Sequence, residues 1–170
     1  KVCYIGGTGG NKDYSKRLSG PRRMYFELGK RLSKEYEVYL VHQGIKEKKI
    51  ARGNLKEHLI KKGFLSFFKM VMIISKIRPD IIHGHGSLNM GLLLRTLKII
   101  FRKRTILTFT DFKKNITSSY KILNKLDVII VQTRYAKRRL EKKGVIIPIR
   151  VIPYGVEDKF YQAKECPDIR

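Results

Sequence analysis

Short apolar runs alternate along the chain with longer charged segments whose apolar positions recur every three or four residues. Val2 to Ile5 is the first run. It ends at Gly6-Gly7, which predicts a strand entering a turn. After the polar stretch Thr8 to Ser19, Gly20-Pro21 opens a helix, because proline's missing N–H costs nothing at the first helical position. Met24, Leu28 and Leu32 predict its buried stripe, with Lys30, Arg31 and Lys34 in water. Glu37 to Val41 predicts a second strand. Lys46 to Gly53 is basic and weakly patterned, which predicts a loop. Asn54 and Glu57 have the spacing of a capping box and predict a long helix to Ile77, closed by Pro79.

Asp80 to His83 predicts a third strand, and Ser87 caps a helix from Leu88 to Phe101. Thr105 to Phe109 is a fourth strand, Ser118 to Lys125 a short helix, and Asp127 to Val131 a fifth strand. Thr133 caps a helix from Arg134 to Lys143, with Gly144 at its left-handed end. Ile149 to Ile152 is a sixth strand, ended by Pro153. Ile81-Ile82 and Val128 to Val131 are apolar at consecutive positions, as in strands covered on both faces. The alternation predicts a doubly wound α/β domain: a parallel, Rossmann-like sheet with helices on both sides.

Composition narrows the class. At 170 residues and 42% apolar content the chain suits one globular domain. Cys3 lies in an apolar run and is expected as a buried free thiol, unpaired with Cys166. No segment reaches the roughly 18 uncharged apolar residues of a spanning helix. Lys1 leads straight into a strand-like run, so a cytoplasmic protein is expected. The 38 Lys and Arg residues outweigh 14 Asp and Glu by +24, which draws the chain towards polyanions such as nucleic acid, anionic lipid or phosphorylated substrates. A basic nucleic-acid-binding domain is the rival on charge. It stands second, because the chain shows neither an RNA-binding aromatic signature nor a helix-turn-helix pattern.

In a doubly wound sheet, ligands bind outside the carboxyl ends of the strands. That edge collects Gly6, Gly7, Gly20, His85, Thr110, Asp111, Thr133 and Gly155. Gly6-Gly7-Thr8-Gly9-Gly10 invites a dinucleotide, but the following helix opens only at Gly20. No tyrosine has a lysine four residues on, so a short-chain dehydrogenase is set aside. Gly20 can meet a phosphate through free helix N–H groups, or simply start a helix. His83 is expected as a packed core histidine, and His85, beyond the strand end, as a ligand donor. The two are expected on opposite faces with no third ligand nearby, so no metal site is expected. In the segment Leu55 to Ile77, a core stripe of Phe64, Phe67, Phe68, Val71 and Ile74 leaves Leu65, Met72 and Ile73 among Lys61, Lys62, Lys69 and Lys76. That pattern fits either a wide core stripe with snorkelling lysines or a helix lying in a membrane interface.

Several segments together resemble the family four (group 1) glycosyltransferases. Ser19-Gly20-Pro21 to Leu32, followed by Tyr36-Glu37-Val38, resembles their first helix and second strand. Arg78-Pro79-Asp80-Ile81-Ile82-His83-Gly84-His85 resembles "lys-pro-asp-val-val-his-ala-his". Leu126-Asp127-Val128-Ile129-Ile130-Val131-Gln132-Thr133 and Val151-Ile152-Pro153-Tyr154-Gly155-Val156-Glu157 resemble two later family motifs, and all four occur in family order.

The resemblance implies the N-terminal half of a GT-B glycosyltransferase. Residues 1–157 would be the acceptor-side domain and 158–170 the start of the interdomain linker, with the donor-binding domain beyond. It implies a retaining transfer from a nucleotide-sugar to an acceptor, with no cofactor or metal; the +24 charge and the segment Leu55 to Ile77 favour a lipid-linked acceptor over a free carbohydrate, reached by peripheral docking on the inner face of an anionic membrane. The motif residues do not exclude a non-catalytic glycosyltransferase-like domain. The isolated domain is expected to be inactive. Thr110, Asp111 and His85 are implied as catalytic, and Gly20 as the donor-phosphate contact. Gly6, Gly7, Thr133, Arg134, Tyr154 and Gly155 are implied at the acceptor. Three positions depart from the family pattern: Ser19 replaces one glycine of a pair, Thr110 replaces a histidine, and Tyr154 replaces an asparagine.

Overall fold

A computed structural model of the chain describes residues 1–6, 20–110, 120–153 and 155, with backbone alone for 20–24. The described residues form one eight-stranded sheet flanked by four α-helices and a 3-10 helix. The elements are β1 (Val2–Ile5), α1 (Gly20–Leu32), β2 (Val38–Gly44), β3 (Lys48–Arg52), β4 (Leu55–Lys61), α2 (Ser66–Ile77), β5 (Ile81–Gly86), α3 (Leu88–Phe101), β6 (Arg104–Phe109), the 3-10 helix (Tyr120–Lys125), β7 (Val128–Val131), α4 (Arg134–Lys142) and β8 (Ile149–Val151). Strand order is β3-β4-β2-β1-β5-β6-β7-β8, and every pair is parallel except β3 with β4. The fold is the expected doubly wound α/β sheet.

Connection handedness explains how the two faces are filled. A right-handed crossover puts its helix on a face set by the direction in which the chain steps across the sheet. Only α1 connects strands stepping from β1 towards β2; α2, α3 and α4 precede steps the other way. The core divides accordingly. Tyr4, Tyr25, Val38 and Leu40 form a small cluster beneath α1. Cys3, Ile5, Ile74, Leu94, Leu107, Ile129 and Leu140 belong to a large cluster beneath the other helices. Cys3 is a free thiol, and burial pushes its pKa up to about 12.

Helix ends follow local chemistry. The Thr133 hydroxyl oxygen accepts the Ala136 N–H at 3.1 Å, capping α4, and Gly144 takes φ +83° just beyond it. Asp127 accepts from the Thr105 backbone N–H at 2.8 Å, the Thr105 hydroxyl at 2.9 Å and Lys98 Nζ at 2.7 Å. Those three bonds fix the start of β6 against β7 and α3.

The largest departure from the sequence expectations lies between residues 46 and 65. The predicted loop Lys46 to Gly53 contains strand β3, and Asn54 opens no helix: Leu55 to Lys61 is strand β4. Gly53-Asn54 is the tight turn of a hairpin, with Gly53 at φ +58° and Arg52 paired to Leu55. Tertiary pairing decides the outcome. Without β4, the buried strand β2 would present an open apolar edge; β4 pairs with it along seven residues, and the basic strand β3 closes the sheet. Glu57, expected in a capping box, instead lies 2.7 Å from Nε2 of the buried His42.

Stripe positions shift as well. The buried positions of α1 include Tyr25 and Gly29, with Leu28 and Leu32 half-buried. In α2 they are Ser66, Met70, Ile74 and Ile77, so Phe64 and Phe68 lie outside the core.

Candidate functional site

The sheet reverses direction between β1 and β5, which places its switch point there. Register pairs Ile5 with Gly84, so Gly6 leaves β1 beside His85. The sequence reading put His85 past the strand, but β5 continues to Gly86 and His85 is a buried strand residue. His83 and His85 are also not on opposite faces: residues two apart in a strand share a face. Among the described residues, no group of three or more His, Cys, Asp or Glu is placed to hold a metal ion.

The two histidines differ in their partners. His83 Nε2 lies 2.8 Å from Thr108 Oγ1, and its ring stacks at 4.5 Å on Tyr4, whose backbone oxygen accepts the Tyr25 hydroxyl at 3.0 Å. Desolvation, reinforced by the nearby His85, lowers the pKa of His83 to about 3, so it is a neutral core residue. His85 Nε2 is buried with no hydrogen-bond partner among the described residues. Desolvation lowers its pKa too, which favours the neutral imidazole, a ring able both to donate to and to accept from a hydroxyl.

The neighbouring strands complete the edge. Thr110 follows β6, half-buried, and its N–H donates to the Gly86 carbonyl at 3.1 Å, which holds it against the end of β5. Gln132 follows β7, and its buried amide Nε2 also has no hydrogen-bond partner among the described residues. Its position after a strand end is readable from the chain, but an unsatisfied amide is a fact of packing that no sequence pattern signals. Gly6 is constrained by its surroundings: a Cβ there would lie 2.9 Å from Tyr25 Cζ. Gly20 opens α1, a 13-residue helix, as expected.

Other expected residues lie farther from the switch point. Thr133 and Arg134 are exposed at the start of α4, two strands away, and the Thr133 oxygen is engaged in capping. Gly155 is exposed beyond β8. Asp111, Gly7 and Tyr154 lie outside the described residues. The structure thus brings Gly6, His85 and Thr110 together and sets Thr133, Arg134 and Gly155 at the rim.

Comparison with known proteins fits this architecture. Residues 18–160 match the model of Glycosyltransferase Family 4. Among solved structures, the chain is similar to a sucrose-phosphate synthase from Thermosynechococcus elongatus at TM-score 0.67 and 14% identity, covering 95% of this chain and 93% of that one. The E. coli trehalose-6-phosphate protein bound with UDP-2-fluoro glucose gives TM-score 0.62 and 12% identity over 98% of this chain. This chain spans 52% of that protein's length. The UDP-GlcNAc 2-epimerase from Methanocaldococcus jannaschii gives TM-score 0.56 and 14% identity, covering 89% of this chain and 44% of that one. At such identities these likenesses establish the fold. A search of curated proteins found no match.

Proposed function

Because the chain belongs to glycosyltransferase family 4, we propose that it forms the acceptor-side domain of a GT-B enzyme that moves a sugar from a nucleotide-diphosphate sugar to a carbohydrate or lipid-linked acceptor with retention of configuration. Residues 1–157 make up that domain in this reading, and a second Rossmann-like domain holds most of the donor. The observation that carries it is the buried Nε2 of His85, without a hydrogen-bond partner among the described residues, at the switch point beside Gly6. A neutral imidazole in that place suits a sugar hydroxyl, which both donates and accepts, better than a phosphate, which needs positive charge.

The work divides by chemistry. Charge develops on the departing diphosphate, where the start of α1, at Gly20, offers the positive end of a helix dipole. Thr110 supplies a hydroxyl next to His85, and Gln132 an amide two strands on. Asp111 directly follows Thr110 in the chain and is proposed to act with it. Gly7, Thr133, Arg134, Tyr154 and Gly155 form the outer acceptor rim. The reading assigns no resident cofactor or metal, and it places the protein in the cytoplasm, peripheral to the inner face of the membrane.

The test follows the histidine side-chain NMR signals of residues 1–170 during titration with neutral oligosaccharides, UDP-glucose and GDP-mannose. Saturable shifts at His85 with His83 little moved are expected from the acceptor sugars. A His85 signal indifferent to every sugar would refute the site, and sugar transfer by residues 1–170 alone would refute the division between two domains.

A further inference from the structure

Exposed apolar side chains such as Ile99, Tyr135 and Ile146 are scattered over the described residues, but one group of them gathers at a single place. Phe64 is 91% exposed, Leu65 58%, Phe68 58% and Met72 57%, all on or just before α2. Ile45, 60% exposed, joins them, because Lys62 N–H donates to the Gly44 carbonyl at 3.1 Å and brings the β2–β3 turn against the start of α2. Gln43 Nε2 donates to Ser66 Oγ at 2.9 Å and fixes the helix there. The buried stripe of α2 is already complete with Ser66, Met70, Ile74 and Ile77, so this second stripe has no internal use.

Charge says what covers it. Lys46, Lys61 and Lys62 are exposed around the apolar group. On the flank of α2, a cavity of about 660 Å³ opens towards the β3–β4 hairpin, with Lys48, Lys49 and Lys76 around an apolar lining that includes Met72 and Ile73; Lys69, also there, is paired with Glu47. Apolar side chains ringed by lysines, on a chain of net charge +24, match a bilayer whose acyl region is apolar and whose headgroup layer is anionic. A protein partner carrying both layers in that order would have to imitate one.

Position gives the patch a purpose. Gly44 and Lys61 are the carboxyl ends of β2 and β4, the same sheet edge on which Gly6 and His85 lie. We propose that Ile45, Phe64, Leu65, Phe68 and Met72 insert into an anionic bilayer, with the surrounding lysines on its phosphates, so that the acceptor edge of the sheet faces the membrane surface. The delivery of a lipid-linked acceptor rests on the proposed glycosyltransfer; the docking does not.

The experiment is sedimentation of the protein with phosphatidylcholine vesicles, with and without phosphatidylglycerol, at low and high salt. Binding is expected to the anionic vesicles only and to weaken with salt. The double variant Phe64→Ser/Phe68→Ser is expected to reduce that binding about tenfold or more. Lys61→Glu/Lys62→Glu should do the same, while Lys142→Glu/Lys143→Glu, equal in charge but at the far end of α4, should bind as the wild type does. Far-UV circular dichroism checks that each variant is folded. Equal binding to neutral vesicles, or an unaltered folded Phe64→Ser/Phe68→Ser variant, would overturn the proposal. Vesicle binding that persists in a protein whose His85 ignores sugars would leave the docking standing and remove only the transferase reading.

Discussion

His83 Nε2 lies 2.8 Å from the Thr108 hydroxyl oxygen, a bond that ties β5 to β6 with both residues buried. Desolvation and the neighbouring His85 hold its folded pKa near 3, against an ordinary 6.5. Below pH 6.5 the unfolded chain therefore takes up a proton at this position that the folded chain refuses, so acid favours unfolding. Between pH 7 and 5 this one group should remove about 2 kcal/mol of stability. Urea midpoints at the two pH values check it. His83→Gln, whose amide can still reach Thr108, should lose distinctly less on acidification; an identical loss would assign the acid sensitivity elsewhere.

His85 should behave in the opposite way. Its buried Nε2 has no hydrogen-bond partner among the described residues, so removing it deletes an unsatisfied polar atom without breaking a described hydrogen bond. His85→Leu is expected to keep the urea midpoint or raise it. Sugar transfer by the full-length enzyme should fall about 10- to 100-fold, the worth of one lost hydrogen bond to a substrate. A large drop in stability with activity intact would make His85 a structural residue like His83.

These histidines also mark how far the sequence could be read. The elements on either side of them are legible because local signals agree with tertiary need: Ser87 at the N-cap position of α3, though its hydroxyl makes no capping bond, Thr133 and Gly144 around α4, and consecutive apolar residues in β7. Strand order then placed Gly6 and His85 on one edge. Gly84-His85-Gly86 reads as a turn, however, and only its pairing with β6 shows that it is strand. The hairpin was misread for a related reason. Leu55 to Lys61 has residues compatible with a helix, and the missing partner of β2 that draws it into the sheet is a fact about the whole fold. The local signal for it was the dipeptide Gly53-Asn54, a turn pair lying between the two segments that become strands.

That turn offers a direct measurement. Gly53 takes φ +58°, while a Cβ there would meet nothing within 4 Å. The cost of Gly53→Ala is therefore backbone strain alone, about 1–2 kcal/mol. Gly53→Asn should cost less, because asparagine tolerates the left-handed region. Chemical denaturation of the three proteins gives the order; alanine and asparagine equal to wild type would mean the hairpin turns in another way.

Gly6 tests the opposite cause, space without positive φ. An added Cβ would lie 2.9 Å from Tyr25 Cζ and 3.2 Å from the two adjoining ring carbons, inside contact distance with a rigid ring. Tyr25 cannot swing aside freely, since its hydroxyl donates to the Tyr4 carbonyl at 3.0 Å. Gly6→Ala should cost about 1–3 kcal/mol, the usual range for overpacking. The ring and the hydroxyl can be separated. Tyr25→Phe keeps the ring but frees it from the Tyr4 carbonyl and should give partial relief, whereas Tyr25→Leu removes the clash and should make Gly6→Ala nearly neutral in that background. A double-mutant cycle on urea midpoints reads the coupling. Additive losses in Gly6→Ala/Tyr25→Leu would show that the ring does not press on Gly6, and that the narrow approach of α1 to the switch point is not what requires glycine there.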